Sequence, residues 1–385
     1  MSLFLITFLT LYGILHAYLF LRLYQAFRLR GKILTLIFAF MLFMIAAPVL
    51  VRLLEHGGYE KFAVAIAWPT YLWMGALFIL IVLLLLLDCF RFLTWIICRF
   101  RNFKFNNTKV LRLTTEVALL LTCVISIYAF FEARSIKTEH LVIQSPKIPA
   151  ATGKIRIVQI SDVHLGLLGE QERLKSILKL VNEAKPDILV STGDLVDGRL
   201  GLTEHSADPN LLPKMLSEVK APYGKFAVLG NHEVYAGIDH SIAFTNSSGF
   251  SLLRGEQKDI LPFLSIAGVD DPAALRIAAA TSIPPEDALL KKMEPAKFRI
   301  LLKHRPVIAK QSDGLFDLQL SGHTHQGQIF PFNLLVRLQY PYTSGTISTP
   351  RKSTLHVSRG SGTWGPPLRF LAPPEVTIID LVITP

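Results

Sequence analysis

Three stretches near the start of the chain, Ser2–Leu21, Ile33–Val51 and Phe62–Leu87, contain no charged side chain. About 20 apolar residues cross a bilayer, so each stretch is long enough to span one. A fourth, Leu113–Phe131, is weaker because Glu116 lies inside it. Its clean part, Val117–Phe131, is too short alone at about 1.5 Å per residue. Leu111 to Phe131 suffices if Arg112 snorkels to the interface. A buried bundle in a soluble protein fits worse, because such runs are rare there. A cleaved signal peptide fits worse too, because the first run lacks a basic leader and more spans follow. Of the 385 residues 51% are hydrophobic and 18% charged. That balance excludes a disordered or highly charged chain. We expect a multi-span helical membrane region over 1–134, a linker over 135–152 and a folded domain over 153–385.

Residues 1–150 hold 15 of the 40 Lys and Arg and 6 of the 29 Asp and Glu, a net of +9; the rest of the chain carries +2. A nucleic-acid-binding domain carries its basic charge on the folded part, so no nucleic-acid partner is expected. Here the charge sits between apolar runs, as topology signals do. Arg22, Arg28, Arg30 and Lys32 lie in the first loop without an acid. Arg91, Arg99, Arg101, Lys104, Lys109 and Arg112 lie in the third. Those loops are expected on the cytoplasmic side, which puts both termini and the folded domain outside the cytoplasm. The domain flips if the fourth run does not cross. Trp68, Tyr71 and Trp73 fit an interfacial aromatic belt, and His16 and His56 lack a chelating neighbour. Cys89, Cys98 and Cys123 predict neither a disulfide framework nor a cysteine-ligated zinc.

Lys137–Gly153, punctuated by Pro146, Pro149 and Gly153, has the look of a linker or an edge segment. Beyond it, short β-rich runs alternate with helical spacing, as in Ile155–Ile160, Gln171–Ala184 and Ile188–Ser191. Further strands are expected at Phe226–Leu229, Phe263–Ala267, Arg299–Leu302, Leu318–Leu320 and Val376–Ile383. This is the pattern of an α/β domain.

Most of these runs end in His, Asp or Asn, and ligands in open α/β sheets collect at the carboxyl ends of strands. Asp162-Val163-His164 follows the first run and Gly193-Asp194 the second. Gly230-Asn231-His232-Glu233, then Lys303-His304, then Gly322-His323-Thr324-His325 follow later ones. Singly, each block is an ordinary turn or a hydrogen-bonded histidine. Together they supply oxygen and imidazole donors suited to zinc, manganese, iron or cobalt.

In these five blocks, in this order, residues 153–383 resemble the calcineurin-like metallophosphoesterases. The similarity is strongest to a membrane-associated bacterial branch, through Leu318–His325, Val357–Thr363 and Pro366–Arg369. Gln326 departs from that branch, which has glycine there. The resemblance implies a four-layer αββα sandwich and a phosphoester substrate. It implies two divalent metal ions (Mn, Zn, Fe or Co), one held by Asp162, His164, Asp194 and His325. The other is held by Asp194, Asn231, His304 and His323. A hydroxide bridging the metals then attacks phosphorus in a phosphomonoester, phosphodiester or pyrophosphate.

His232 is the expected proton donor to the leaving oxygen, with Asp197 and Glu233 orienting ligands from behind. Arg359 is a candidate contact for the substrate phosphate. His205, His240 and His356 fit no block. The apolar run Ile329–Tyr340 is expected either to face a lipid-linked substrate and the bilayer surface or to pack in the interior. A scaffold or sensor that keeps the fold without catalysis is the alternative, and ligand completeness argues against it. Few ionisable groups lie in the spans, which argues against a transporter.

Overall fold

The computed structural model describes residues 2–168, 170–198, 210–277 and 284–384; His205 lies outside them. The chain forms two compact units, Met1–Phe131 with Gly365–Leu368, and Glu132–Trp364 with Arg369–Pro385.

The first unit holds helices α1 (Ser2–Phe27), α2 (Gly31–His56) and α3 (Glu60–Phe100), and α4 (Asn107–Glu132) up to Phe131. All four are long and apolar enough to cross a membrane. The third is longer than expected: Arg91 and Arg99 ride on α3, and only 101–106 separate it from α4. Arg22 is also helical, not part of a loop. Its buried guanidinium donates to Thr114 and Thr115 at 2.8 Å each and pairs with Asp88, tying α1 to α3 and α4. A charge this apolar setting could not hold alone is thereby satisfied. Trp73 donates through Nε1 to buried His16 at 2.9 Å.

The second unit has fourteen strands among its described residues. They are β1 (Lys137–Ser145), β2 (Lys154–Ile160), β3 (Leu165–Gly166), β4 (Ile188–Ser191), β5 (Val196–Asp197), β6 (Lys225–Ala227) and β7 (Ser251–Leu252). Then come β8 (Glu256–Leu261), β9 (Leu264–Val269), β10 (Phe298–Lys303), β11 (Leu318–Ser321), β12 (Gly345–Ser348), β13 (Thr354–Val357) and β14 (Glu375–Ile383). One six-stranded sheet runs β1-β14-β2-β4-β6-β7, the other β12-β13-β11-β10-β9-β8. Strands β4, β9 and β11 are buried at every position, as strands covered on both faces must be.

Ile157, Val190 and Phe226 of the first sheet pack against Ile266, Phe298, Ile300 and Leu320 of the second. The outer face of the first sheet is covered by α5 (Glu170–Ala184), α6 (Leu211–Ser217) and α8 (Ile238–Ser247). Leu174, Ile177, Leu178 and Val181 recur at helical spacing and form the buried stripe of α5. Leu289, Leu290 and Met293, in and after α10 (Glu286–Leu290), cover the second sheet. Short helices α7 (Asn231–Ala236), α9 (Pro272–Ile277) and α11 (Phe332–Val336) complete the domain. Lys137–Ser145, left open between linker and edge segment by the sequence, pairs in parallel with β14 at the sheet edge.

Candidate metal centre

Strands β2, β4, β6, β10 and β11 deliver the five motif blocks to their carboxyl ends. There the two sheets bring the expected ligands into two groups. Asp162, His164 and His325 form one, and Asp194, His304 and His323 the other, each with donor atoms within 4.8 Å of one another. The Nε2 atoms of His164 and His325 are 3.0 Å apart, and His325 Nε2 is 3.5 Å from Asp162 Oδ1. In the second group His304 Nε2 lies 3.1 Å from Asp194 Oδ2 and 3.0 Å from His323 Nδ1. His164 Nε2 is 3.9 Å from Asp194 Oδ2, so this carboxylate faces both groups. Asn231 opens α7, four residues past the end of β6. Its Oδ1 is buried with no hydrogen-bond partner, an orphaned acceptor that costs about 1–3 kcal/mol unless something meets it.

Backbone shape aims these groups. Asp162, His164, Asp194, His323 and His325 all have positive φ, between 48° and 74°. This left-handed turn directly after a strand is uncommon outside glycine, though Asp and His tolerate it better than most. Gly230 is required for a different reason: a Cβ there would sit 2.1 Å from Asp194 Oδ1.

Other side chains set the ligands from behind. His304 Nδ1 is 2.8 Å from the Thr192 carbonyl and donates to it, so Nε2 is the nitrogen that offers a lone pair once the ring is neutral. Glu233 accepts from the backbone N–H of Asp194, Leu195, Val196 and Gly230 at 2.5–3.2 Å, tying two ligand loops together. Asp197 accepts from His232 Nδ1 at 2.9 Å and lies 3.5 Å from His164 Nδ1.

The charges are strongly biased. Burial is the largest influence on Asp194 and works to raise it, but His304, His232 and His164 together outweigh it and hold the carboxyl well below its usual range. Asp197 is likewise held low, against burial, by His232. Burial lowers His232 and His304, yet Asp194 and the other nearby acids together outweigh it and carry them to about 9 and about 10. Burial pushes Asp162 up and His323 down to about 3. Protons on His304 and His232 thus balance the acids, and cation uptake must expel the one on His304. Two carboxylates, four imidazoles and an unpartnered amide oxygen are a donor set suited to divalent cations.

Arg359, the candidate phosphate contact, pairs through Nη2 with Glu375 at 2.6 Å and Glu139 at 3.2 Å. The run after His325 is only partly interior: Phe330, Phe332, Leu334, Leu335 and Leu338 are exposed. Sequence reasoning also missed several residues. Ser161 Oγ donates to Asp162 at 2.5 Å. Arg305, clamped to Asp271, reaches Tyr340, whose ring is 5.1 Å from His323. Exposed Tyr235 and Trp364 flank the His232 ring, with centroids 5.5 and 5.7 Å away. None of these has a spacing signature, since each acts through the fold.

Residues 155–327 match the family model described as calcineurin-like phosphoesterase. An Aquifex aeolicus protein described as an uncharacterized metallophosphoesterase is 38% identical over 264 residues, 68% of this chain and 98% of that one. Metallophosphoesterase YkuE of Bacillus subtilis is 35% identical over 266 residues, 66% of this chain and 88% of its own. A Danio rerio transmembrane protein with a metallophosphoesterase domain is 28% identical over 319 residues, 80% of this chain and 72% of its own.

Proposed function

The chain belongs to the calcineurin-like metallophosphoesterases, and we propose that it is a membrane-anchored phosphoester hydrolase working with two divalent cations. The observation that carries this is the meeting of Asp162, His164 and His325 with Asp194, His304 and His323 around one shared carboxylate. When bound, the cations would supply Lewis acidity and lower the pKa of a bound water.

The chain's own residues do the rest. Asp162, His164, Asp194 and His325 hold one cation; Asp194, Asn231, His304 and His323 hold the other. A neutral amide at Asn231 leaves more of the positive charge for a phosphate than a third carboxylate would. His232, fixed through Nδ1 by Asp197, presents Nε2 as proton donor to the leaving oxygen. Glu233 keeps the loops in register.

For the substrate we propose a lipid-linked phosphodiester or pyrophosphate. The support is the exposed apolar run Phe330–Leu338, which starts five residues after His325. Micellar and soluble phosphodiesters should be turned over at unequal rates, with Phe330→Ser and Leu335→Ser lowering only the micellar one. Equal rates that neither substitution alters would remove the lipid part of the reading. Loss of all turnover with chelator, restored by manganese or zinc, tests the metal part. The basic residues flanking α1/α2 and α3/α4 favour an extracytoplasmic catalytic domain, which an alkaline-phosphatase fusion at the C-terminus tests.

A further inference from the structure

The cations that follow the third apolar run are grouped, not scattered. From Asp88 to Arg112 the chain carries six Lys and Arg against that one acid. Arg91, Trp95 and Arg99 recur every four residues, so they share one face of α3, with Phe92 beside them. The connection 101–106 returns along this face and brings Phe103 and Asn107 to it. Between them lies a cavity of about 450 Å³ that no acidic side chain lines. Arg91 Nη1 donates to Asn107 Oδ1 at 3.3 Å, tying the start of α4 to α3. Its Nη2 is 3.4 Å from Asp88 Oδ1, but that carboxylate also pairs with buried Arg22 and accepts from Tyr18. One acid thus answers two guanidiniums, and Arg99 pairs with no acid among the described residues. Phe92 and Trp95 stack at 5.9 Å and, like Phe103, are exposed.

The 41 residues of α3 run roughly 60 Å at about 1.5 Å each, about twice the hydrocarbon thickness of a bilayer. With Phe62–Leu87 in the hydrocarbon, the cavity lies just past it, at the level of the headgroups. A topology signal needs charge alone. Two guanidiniums and a wall of aromatic rings around one space match a molecule that is anionic at one end and apolar at the other.

We propose that this cavity binds the phosphate headgroup of an anionic phospholipid, with Arg91 and Arg99 on the phosphate and the aromatic rings against the glycerol and the upper acyl chain. This rests on the membrane-anchored reading above. The guanidinium fork meets phosphate oxygens in pairs, and basic pockets between membrane helices collect anionic headgroups.

The test is native mass spectrometry of the full chain in neutral detergent, titrated with dioctanoyl phosphatidylglycerol, dioctanoyl phosphatidylcholine or inorganic phosphate. Each arginine beside an anionic headgroup is worth about five-fold in affinity. Wild type should therefore hold one phosphatidylglycerol about 30-fold more tightly than phosphatidylcholine. Arg91→Gln combined with Arg99→Gln should abolish that preference. Arg101→Gln combined with Lys104→Gln, which removes as much charge outside the cavity, should keep it. Arg99→Gln alone should weaken phosphatidylglycerol about five-fold, a readout that survives if the first pair prevents folding. Equal losses in the two pairs would overturn the proposal, because charge alone would then attract the lipid. So would equal affinity for the two lipids, or wild-type affinity in Arg99→Gln. Inorganic phosphate displacing phosphatidylglycerol at equal concentration would overturn it too, because the occupant would then be a free anion. Recovery of the full chain in solution without detergent would remove the membrane-anchored reading itself, a separable failure.

Discussion

At the residue scale, the centre depends on how closely a few atoms approach. The Cβ of Gly230→Ala would meet Asp194 Oδ1 at 2.1 Å, so Asp194 must move. We expect a folded protein whose metal affinity drops about 10–100-fold, read by chelator competition; unchanged affinity would refute the crowding argument. His232→Asn should cut kcat by about 10²–10⁴, as loss of a proton donor does, while both metal equivalents remain. Parallel loss of metal would make His232 a ligand instead.

His356 is independent of these. Its ring is bonded to Thr346 and Thr377, and burial, then the charge of Arg359, lowers its pKa from 6.5 to about 4. Between those values the unfolded chain binds the extra proton. Stability is therefore fully present above about 6.5 and is lost as pH falls towards 4, by roughly 3 kcal/mol at about 1.4 kcal/mol per pH unit. Denaturant titrations at pH 7 and 4.5 should show a shallower pH dependence for His356→Gln than for wild type. Identical slopes would contradict this.

At the element scale, the ligand loops are bound to one another more than to solvent. Glu233 bridges the loops after β4 and β6 through four backbone N–H groups. Glu233→Gln loses charge-assisted bonds worth about 1.5–3 kcal/mol each, so it should lower both melting temperature and metal affinity. A fall in neither would show the clamp to be idle. The five motif blocks were legible because each is short, local and placed at a strand end. Leu318–Leu320 and Ile188–Ser191 were legible as short strand-like runs bounded by turn residues. The strand Lys137–Ser145 was not, because Lys137, Glu139 and His140 face outward at a sheet edge where burial imposes little pattern. The extension of α3 through Arg91 and Arg99 is hidden in the sequence because charge after an apolar run reads as the mark of a loop, whereas helix propensity tolerates arginine well. Arg369 was visible only as part of a tail similarity, since nearly all its partners are backbone carbonyls and leave no sequence trace.

At the scale of the whole molecule, four apolar helices and a domain built on two six-stranded sheets share one chain, and among the described residues the clusters of cation donors lie in the domain. Cations that bind the folded state alone stabilise it by mass action, about 2.7 kcal/mol at a hundredfold excess over Kd. The domain's melting transition should therefore rise with added zinc or manganese and return with chelator, while the helical unit's transition stays fixed. The most direct test of the central claim is anomalous diffraction from crystals of the protein loaded with zinc. The account predicts two peaks on either side of the Asp194 carboxylate, one against Asp162, His164 and His325, the other against Asn231, His304 and His323. A single peak elsewhere, or none at saturating zinc, would contradict it.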